Sequence, residues 1–251
     1  MPRILITGTS SGFGRATALH FLDRGWEVLA TMRSPSADGW PADPRLRLMA
    51  LDVTEPDGIA AAVAAAGPLD ALVNNAGVGM LNVLEGAEID RARALFDINV
   101  LGTMAMTRAV MPGMRAAGGG VIVNISSAVT LTALPALSVY SASKAAVNAF
   151  TESLALEAAP FGIRLRLVLP GSAPDTAFGR NAVARMGMEI PESHASFMQD
   201  SLRTLRAAPE RTLPQDVALA VWRAVTDDRA PMRLPAGADA LALARAAGLA
   251  A

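Results

Sequence analysis

Short runs rich in Val, Ile and Leu alternate with longer stretches of helical spacing along most of the 251-residue chain, and this alternation constrains the fold more than any other feature. The strand candidates are RILIT (3–7), EVLAT (27–31), LRLMAL (46–51), DALVNN (70–75), GVIVNIS (120–126) and IRLRLVL (163–169). Helical stretches lie at 14–25, 57–67, 89–114 and 138–162. Strand, helix, strand repeated in this way predicts a parallel sheet with helices on both faces. Strands with little polar alternation fit that arrangement, because both of their faces are buried. No internal repeat or linker divides the chain, so residues 1–251 read as a single α/β domain. The segment 172–213 differs from the rest, mixing Pro174, Pro191 and Pro209 with Met and Phe, and reads as a lid or excursion. The ending ALALARAAGLAA reads as an Ala-rich tail of undisclosed role.

Several function classes are disfavoured by what the chain carries. Its 22 basic and 23 acidic residues are interspersed, which leaves no electrostatic footprint for nucleic acid or an anionic membrane. With no cysteine there is neither disulfide nor thiolate chemistry, and the two histidines, His20 and His194, show no metal-ligand spacing. Residues 116–143 are uncharged, but Gly118, Gly119, Gly120, Asn124 and Pro135 interrupt them, so they read as a buried strand plus loop rather than a membrane span. The expectation is a soluble, cytoplasmic protein.

The first loop carries chemistry. ILITGTSSGFGRATALHFL places Gly8, Gly12 and Gly14 between a strand and a helix. Residues without Cβ permit a tight turn, and a pyrophosphate can approach the unpaired N–H groups and positive dipole end of the helix. A glycine-rich turn with no ligand is the alternative. About 20 residues further on, an NAD binder offers a carboxylate to the ribose and an NADP binder offers Arg. The chain has Met32, Arg33 and Ser34 there, favouring NADP(H) over NAD(H), with Ser10 and Ser11 as further donors. A solvated loop cation is the other reading of Arg33.

Tyr140 is the sole tyrosine and Lys144 the sole lysine in the sequence. Four residues apart on a helix, they share one face. A free phenol has a pKa of about 10, and a neighbouring ammonium favours the phenolate, drawing that value toward the working range. The competing reading is a core tyrosine with a satisfied hydroxyl beside a snorkelling lysine.

With these residues in view, the chain resembles the short-chain dehydrogenase/reductase family, in its short single-domain branch. TGTSSGFG (7–14) is similar to the family's cofactor loop, LDV (51–53) to its adenine contact, and NNAG (74–77) to the turn after its fourth strand. NISS (124–127), YSASK (140–144) and PG (170–171) follow in the family's order. The resemblance implies a Rossmann-type doubly wound sheet. It also implies a dinucleotide site formed by Gly8, Ser10, Ser11, Gly12, Phe13, Gly14, Arg33, Asp52, Val53, Asn74, Ala76, Gly77, Tyr140, Lys144, Pro170, Gly171 and Thr176. For catalysis it implies Tyr140 as general acid, Lys144 lowering its pKa and holding the nicotinamide ribose, and Ser127 (rather than Ser126) bonding the substrate oxygen. Asn99 would hold a water linking Lys144 to solvent. Asn99 as a helix-kink residue and the two serines as strand-end residues are the alternatives.

One departure stands out: PGSAPDT puts four residues between Gly171 and Thr176 where the family has three, leaving Ser172 or Thr176 to meet the nicotinamide amide. Broad apolar faces on 89–114 and 138–161 predict a homodimer or homotetramer, as family members often associate through these helices. The lid, about 178–205, is expected to close over an apolar substrate pocket, ordinary packing being the alternative. The leading reading is NADPH-dependent reduction of a ketone or aldehyde of a fairly hydrophobic small molecule. An alcohol dehydrogenase running oxidatively and a non-catalytic NADP-binding sensor or scaffold are the alternatives.

Overall fold

A computed structural model describes residues 1–173, 190–207 and 211–249. Seven parallel strands form one sheet in the order β3-β2-β1-β4-β5-β6-β7. They are β1 (Arg3–Thr7), β2 (Glu27–Met32), β3 (Leu46–Ala50), β4 (Ala71–Asn74), β5 (Gly120–Ile125), β6 (Ile163–Pro170) and β7 (Arg233–Ala236). The helices are α1 (Gly12–Asp23), α2 (Pro56–Ala66), α3 (Ile89–Phe96), α4 (Gly102–Ala116), α5 (Ser138–Ala158), α6 (Ala195–Ala207), α7 (Pro214–Thr226) and α8 (Ala238–Ala246). From β1 the chain winds outward to β2 and β3, then returns past β1 to β4 and proceeds the other way. The crevice between β1 and β4 is therefore the topological switch point, where ligands of doubly wound sheets sit.

Side chains of successive strand residues point to opposite faces, and the two cores divide accordingly. Ile4 and Ile6 of β1 join Val28, Val73 and Val123 under α1 and α7, which contribute Phe21, Val217 and Val221. Leu5 joins Leu29, Leu72 and Ile122 on the other face, under Ile59 of α2, Met106 and Val110 of α4 and Ala158 of α5. With both faces covered, apolar residues fill the central strands without a polar alternate, as the sequence pattern anticipates.

Three features differ from the sequence reading. The predicted helix 89–114 is divided by a π-helical turn, Asp97–Leu101, between α3 and α4. The Ala-rich ending is no tail: Ala240 and Ala244 of α8 are buried, and the strand before it, β7, pairs with Leu167–Pro170 of β6. Within the proposed excursion, α6 packs Met198 against Val83, while the expectations for Thr176 and the remainder of 174–189 lie outside the described residues. Among the described residues no helix is long and apolar enough to cross a membrane.

Candidate active site

The loops after β1 and β4 interlock at the switch point. Thr7 Oγ1 accepts from the backbone N–H groups of Asn75 (3.0 Å) and Ala76 (2.9 Å). Asn75 Nδ2 returns the contact, donating to the Thr7 and Gly8 carbonyls at 2.9 Å each. Glycine is needed here for space as well as for φ. A Cβ on Gly8, whose φ is +71°, would stand 2.7 Å from Ala76 Cα, and one on Gly14 would stand 2.5 Å from the Gly8 carbonyl oxygen. Ser10 and Ser11 are exposed beside this turn, and Phe13 packs down onto the core. Ser11, the N-cap of α1, is extended and makes no side-chain cap, so the first-turn N–H groups of a 12-residue helix lack a side-chain acceptor. That end of α1 is suited to an anion.

At the end of β2, Met32 is buried and Arg33 is exposed. Asp52, after β3, accepts from the N–H (3.0 Å) and hydroxyl (2.7 Å) of Thr54. These bonds hold its carboxyl below the usual range, and the Arg33 charge adds to the effect. Arg33 is thus near enough to Asp52 for its charge to be felt there. Val53 is buried, and its Cγ2 would lie 2.8 Å from a Cβ on Gly102, which allows the start of α4 to press against the same loop.

Asn74, at the end of β4, directs its side chain into the sheet's interior, where Nδ2 donates to Asn124 Oδ1 (2.8 Å) and Thr107 Oγ1 (3.0 Å). Asn124 in turn donates to Thr151 Oγ1 at 2.8 Å, joining β4, β5 and α5 through a polar chain. The neighbouring Asn75, which the sequence reading passed over, is the residue that fastens the glycine loop.

Ser127, Tyr140, Lys144 and Asn99 are all buried and converge beyond the end of β5. Ser127 and Tyr140 share a side-chain hydrogen bond. Ser126 turns away into α5, donating to Asn148 Oδ1 at 2.5 Å. Lys144 Nζ donates to the Ile125 carbonyl at 2.9 Å and lies 5.9 Å from the Tyr140 ring centroid. A Cβ on Gly77 would be 3.2 Å from Asn99 Oδ1 and 3.6 Å from Lys144 Nζ, so both polar atoms look onto the glycine that ends NNAG. Asn99 itself is occupied by protein: Oδ1 accepts from the Val78 N–H, and Nδ2 donates to the Val78 carbonyl and to Ser143 Oγ. Pro170 ends β6, with Gly171 and Ser172 immediately beyond it.

The electrostatics correct one expectation. Burial pushes the Tyr140 phenol up to about 12, with the Ser127 hydrogen bond opposing it. Burial also draws Lys144 down to about 8. The ammonium is directed at the Ile125 carbonyl, so desolvation outweighs its pull on the phenol. Met80 and Leu95, with Val78, Val129 and Leu137, pack around Tyr140 and make its surroundings apolar. His194 is not part of this group; its Nε2 pairs with Glu85 at 3.2 Å.

Residues 2–186 match the family model for short chain dehydrogenase. The chain belongs to that family. Among its relatives, the 3-ketodihydrosphingosine reductase of Bacteroides thetaiotaomicron is 35% identical over 242 residues, 93% of this chain and 87% of that protein. Human retinol dehydrogenase 8 is 34% identical over 249 residues, 92% of this chain and 79% of that one. A Burkholderia cenocepacia short chain dehydrogenase solved in complex with NADP superposes with a TM-score of 0.80 at 28% identity, covering 98% of this chain and 92% of that chain. A Burkholderia phymatum member in complex with NAD gives 0.82 at 25% identity, covering 97% and 92%. Membership makes the chain an oxidoreductase acting on CH–OH or C=O groups with a nicotinamide dinucleotide. The site fits that group: the α1 N-terminus lacks a side-chain cap, glycines line the turn, and a buried ammonium stands at the far end of the crevice.

Proposed function

We propose that this enzyme reduces a ketone or aldehyde of a hydrophobic small molecule, with NADPH as reductant and Tyr140 as proton donor. The observation that carries the reading is the hydrogen-bonded Ser127–Tyr140 pair, set in apolar surroundings with Lys144 on the same helix face. A phenol held at about 12 retains its proton at every working pH, which is the state a carbonyl reduction starts from. A nicotinamide bound in the crevice would supply the hydride for the carbonyl carbon. Ser127 and Tyr140 bond the carbonyl oxygen, Tyr140 gives it a proton, and the phenolate left behind is stabilised by the Lys144 ammonium. The products are the alcohol and NADP⁺.

NADPH is favoured over NADH by Arg33, an exposed guanidinium at the end of a β2 strand that carries no acid there. The substrate class is supported by the apolar wall of Val78, Met80, Val129 and Leu137 around Tyr140, and by relatives named for a keto-sphingoid base and for retinol. The test is a panel of long-chain and aromatic ketones and aldehydes, followed by NADPH and by NADH consumption, with Tyr140→Phe as control. Turnover with NADPH that the control abolishes is expected. NADPH binding without turnover of any substrate in either direction would instead favour the sensor reading.

A further inference from the structure

Beyond the Ser127–Tyr140–Lys144 group, the end of β6 is gripped by residues from far along the chain. Thr212 is 2% exposed, and its hydroxyl accepts from the Gly171 N–H at 2.8 Å. The single hydrogen of that hydroxyl lies between Asp239 Oδ1 and the Ala236 carbonyl oxygen, both 2.8 Å away. The Thr212 N–H donates to the Ser172 carbonyl at 2.9 Å. Asp239, in the first turn of α8, closes the ring. Its Oδ2 accepts from the Ser172 N–H at 2.5 Å, and Oδ1 accepts from the Ala240 N–H at 2.9 Å. The Ser172 and Ala240 N–H groups and the Thr212 hydroxyl all reach this carboxylate as donors.

Two glycines make room for the clasp. A Cβ on Gly171 would collide with the Asp239 carboxylate. One on Gly237, where φ is +97° as the chain turns from β7 into α8, would stand 2.8 Å from Thr212 Cα. Both backbone groups of Ser172 are thereby fixed, its N–H by Asp239 and its C=O by Thr212. The grip falls directly after Pro170, where β6 reaches the crevice side of the sheet.

We infer that Thr212 and Asp239 are positioning residues for the reaction, acting through Gly171 and Ser172 to fix the cofactor-facing end of β6. The β7–α8 unit is then part of the reaction machinery. The inference rests on the nicotinamide chemistry proposed above, and it assigns to that chemistry two residues distant in sequence from every motif. A displacement of about 1 Å at a reacting centre costs on the order of 100-fold in rate, and one lost charge-assisted bond costs about tenfold in affinity.

The test compares Thr212→Val, Thr212→Ser, Asp239→Asn and Asp239→Ala with the unaltered chain. Val221→Ala, a core truncation in α7, serves as a control for general loss of stability. Amide hydrogen exchange over 163–173 reads the clasp in the protein alone, and NADPH fluorescence titration reads dinucleotide affinity without turnover. In Thr212→Val and both Asp239 variants, exchange at Gly171 and Ser172 is expected to accelerate. NADPH affinity is expected to fall about tenfold and kcat about 100-fold, with the ketone KM little changed. Thr212→Ser is expected to restore all three, and Val221→Ala to move none of them. Faster exchange with unchanged NADPH affinity and kcat would make the clasp purely structural and overturn the inference, as would equal losses in Thr212→Ser and Thr212→Val. If the unaltered chain turns over no carbonyl, the proposed function fails separately, and exchange with NADPH affinity still decides the clasp. Should Asp239→Ala not fold, Asp239→Asn and Thr212→Val carry the same comparison.

Discussion

Asn99 grips Val78 in both directions: Oδ1 accepts from the Val78 N–H at 2.8 Å, and Nδ2 donates to the Val78 carbonyl at 2.9 Å. The grip holds the segment leaving NNAG against the π-helical turn that contains Asn99, and Gly77 lies between that amide and Lys144 Nζ. A π turn inserted in a helix commonly marks a functional position. Asn99→Ala would leave both Val78 groups unpaired in a partly buried place, at a cost of about 2 kcal/mol. Denaturant unfolding should read that loss, and turnover should fall by about tenfold or more as Gly77 shifts against Lys144. Asn99→Asp should be no better, because a carboxylate accepts from the Val78 N–H but repels its carbonyl.

Tyr140 can be followed without interference from other phenols, as it is the sole tyrosine. Its near-ultraviolet phenolate signal is expected only as the pH approaches about 12, above the value of about 10 for a free phenol. Ser127→Ala removes the bond that opposes the burial effect, so ionisation should move higher still. The same variant should lose carbonyl reduction by about 100-fold, since one of the two donors to the substrate oxygen is gone. Ionisation near the free-phenol value in the folded protein would contradict the buried site.

Lys144 should make stability rise with pH. Its pKa is about 8 in the folded protein and near the ordinary 10.5 when unfolded. Between those values the unfolded chain binds more protons, so stability increases with pH across that window and is lost as pH falls back through it. The difference corresponds to about 3 kcal/mol in all. The Tyr140 phenol acts oppositely above pH 10, where the unfolded chain loses its proton first. Urea midpoints measured from pH 7 to 9.5 should therefore climb for the unaltered protein, while Lys144→Met shows a flatter profile and a higher midpoint at pH 7.

Much of the sheet was legible because burial on both faces writes itself into β1, β2, β4, β5 and β6 as apolar runs. The Gly8, Gly12 and Gly14 spacing and the Tyr140–Lys144 interval likewise depend on neighbours in sequence. What escaped depends on partners distant in sequence. The role of Asn75 arises from Thr7 and Gly8, 68 and 67 residues away, and the clasp joins Ser172 to Asp239 across 67 residues. The four-residue strand β7 carries Pro235, which weakens a strand signal, and α8 looks like low-complexity Ala until its pairing with the sheet is known. The Tyr140 phenol is shifted up rather than down for a similar reason, because burial sets its direction. Helical spacing reports that Tyr140 and Lys144 are neighbours, whereas the extent of burial is set by Met80, Leu95 and Val129 from other elements.

Arg33 offers the sharpest check on cofactor choice. It is exposed at the end of β2, and the Asp52 carboxyl on the adjoining loop is held by Thr54, with the Arg33 charge also lowering its pKa. A 2′-phosphate placed at this end of the crevice would gain a charge-assisted pair with the guanidinium, worth about 1.5–3 kcal/mol, or roughly 10- to 100-fold in affinity. A plain ribose would gain far less. Arg33→Ala should therefore raise the NADPH Kd by about that factor and leave the NADH Kd nearly unchanged, as read by nicotinamide fluorescence. Arg33→Asp should go further, repelling the phosphate and offering its carboxylate to the ribose hydroxyls, so that NADH becomes the better ligand. The NADPH advantage should also shrink as salt is raised, because the guanidinium is exposed and screened. Equal losses for both dinucleotides would mean that Arg33 holds the loop rather than the phosphate.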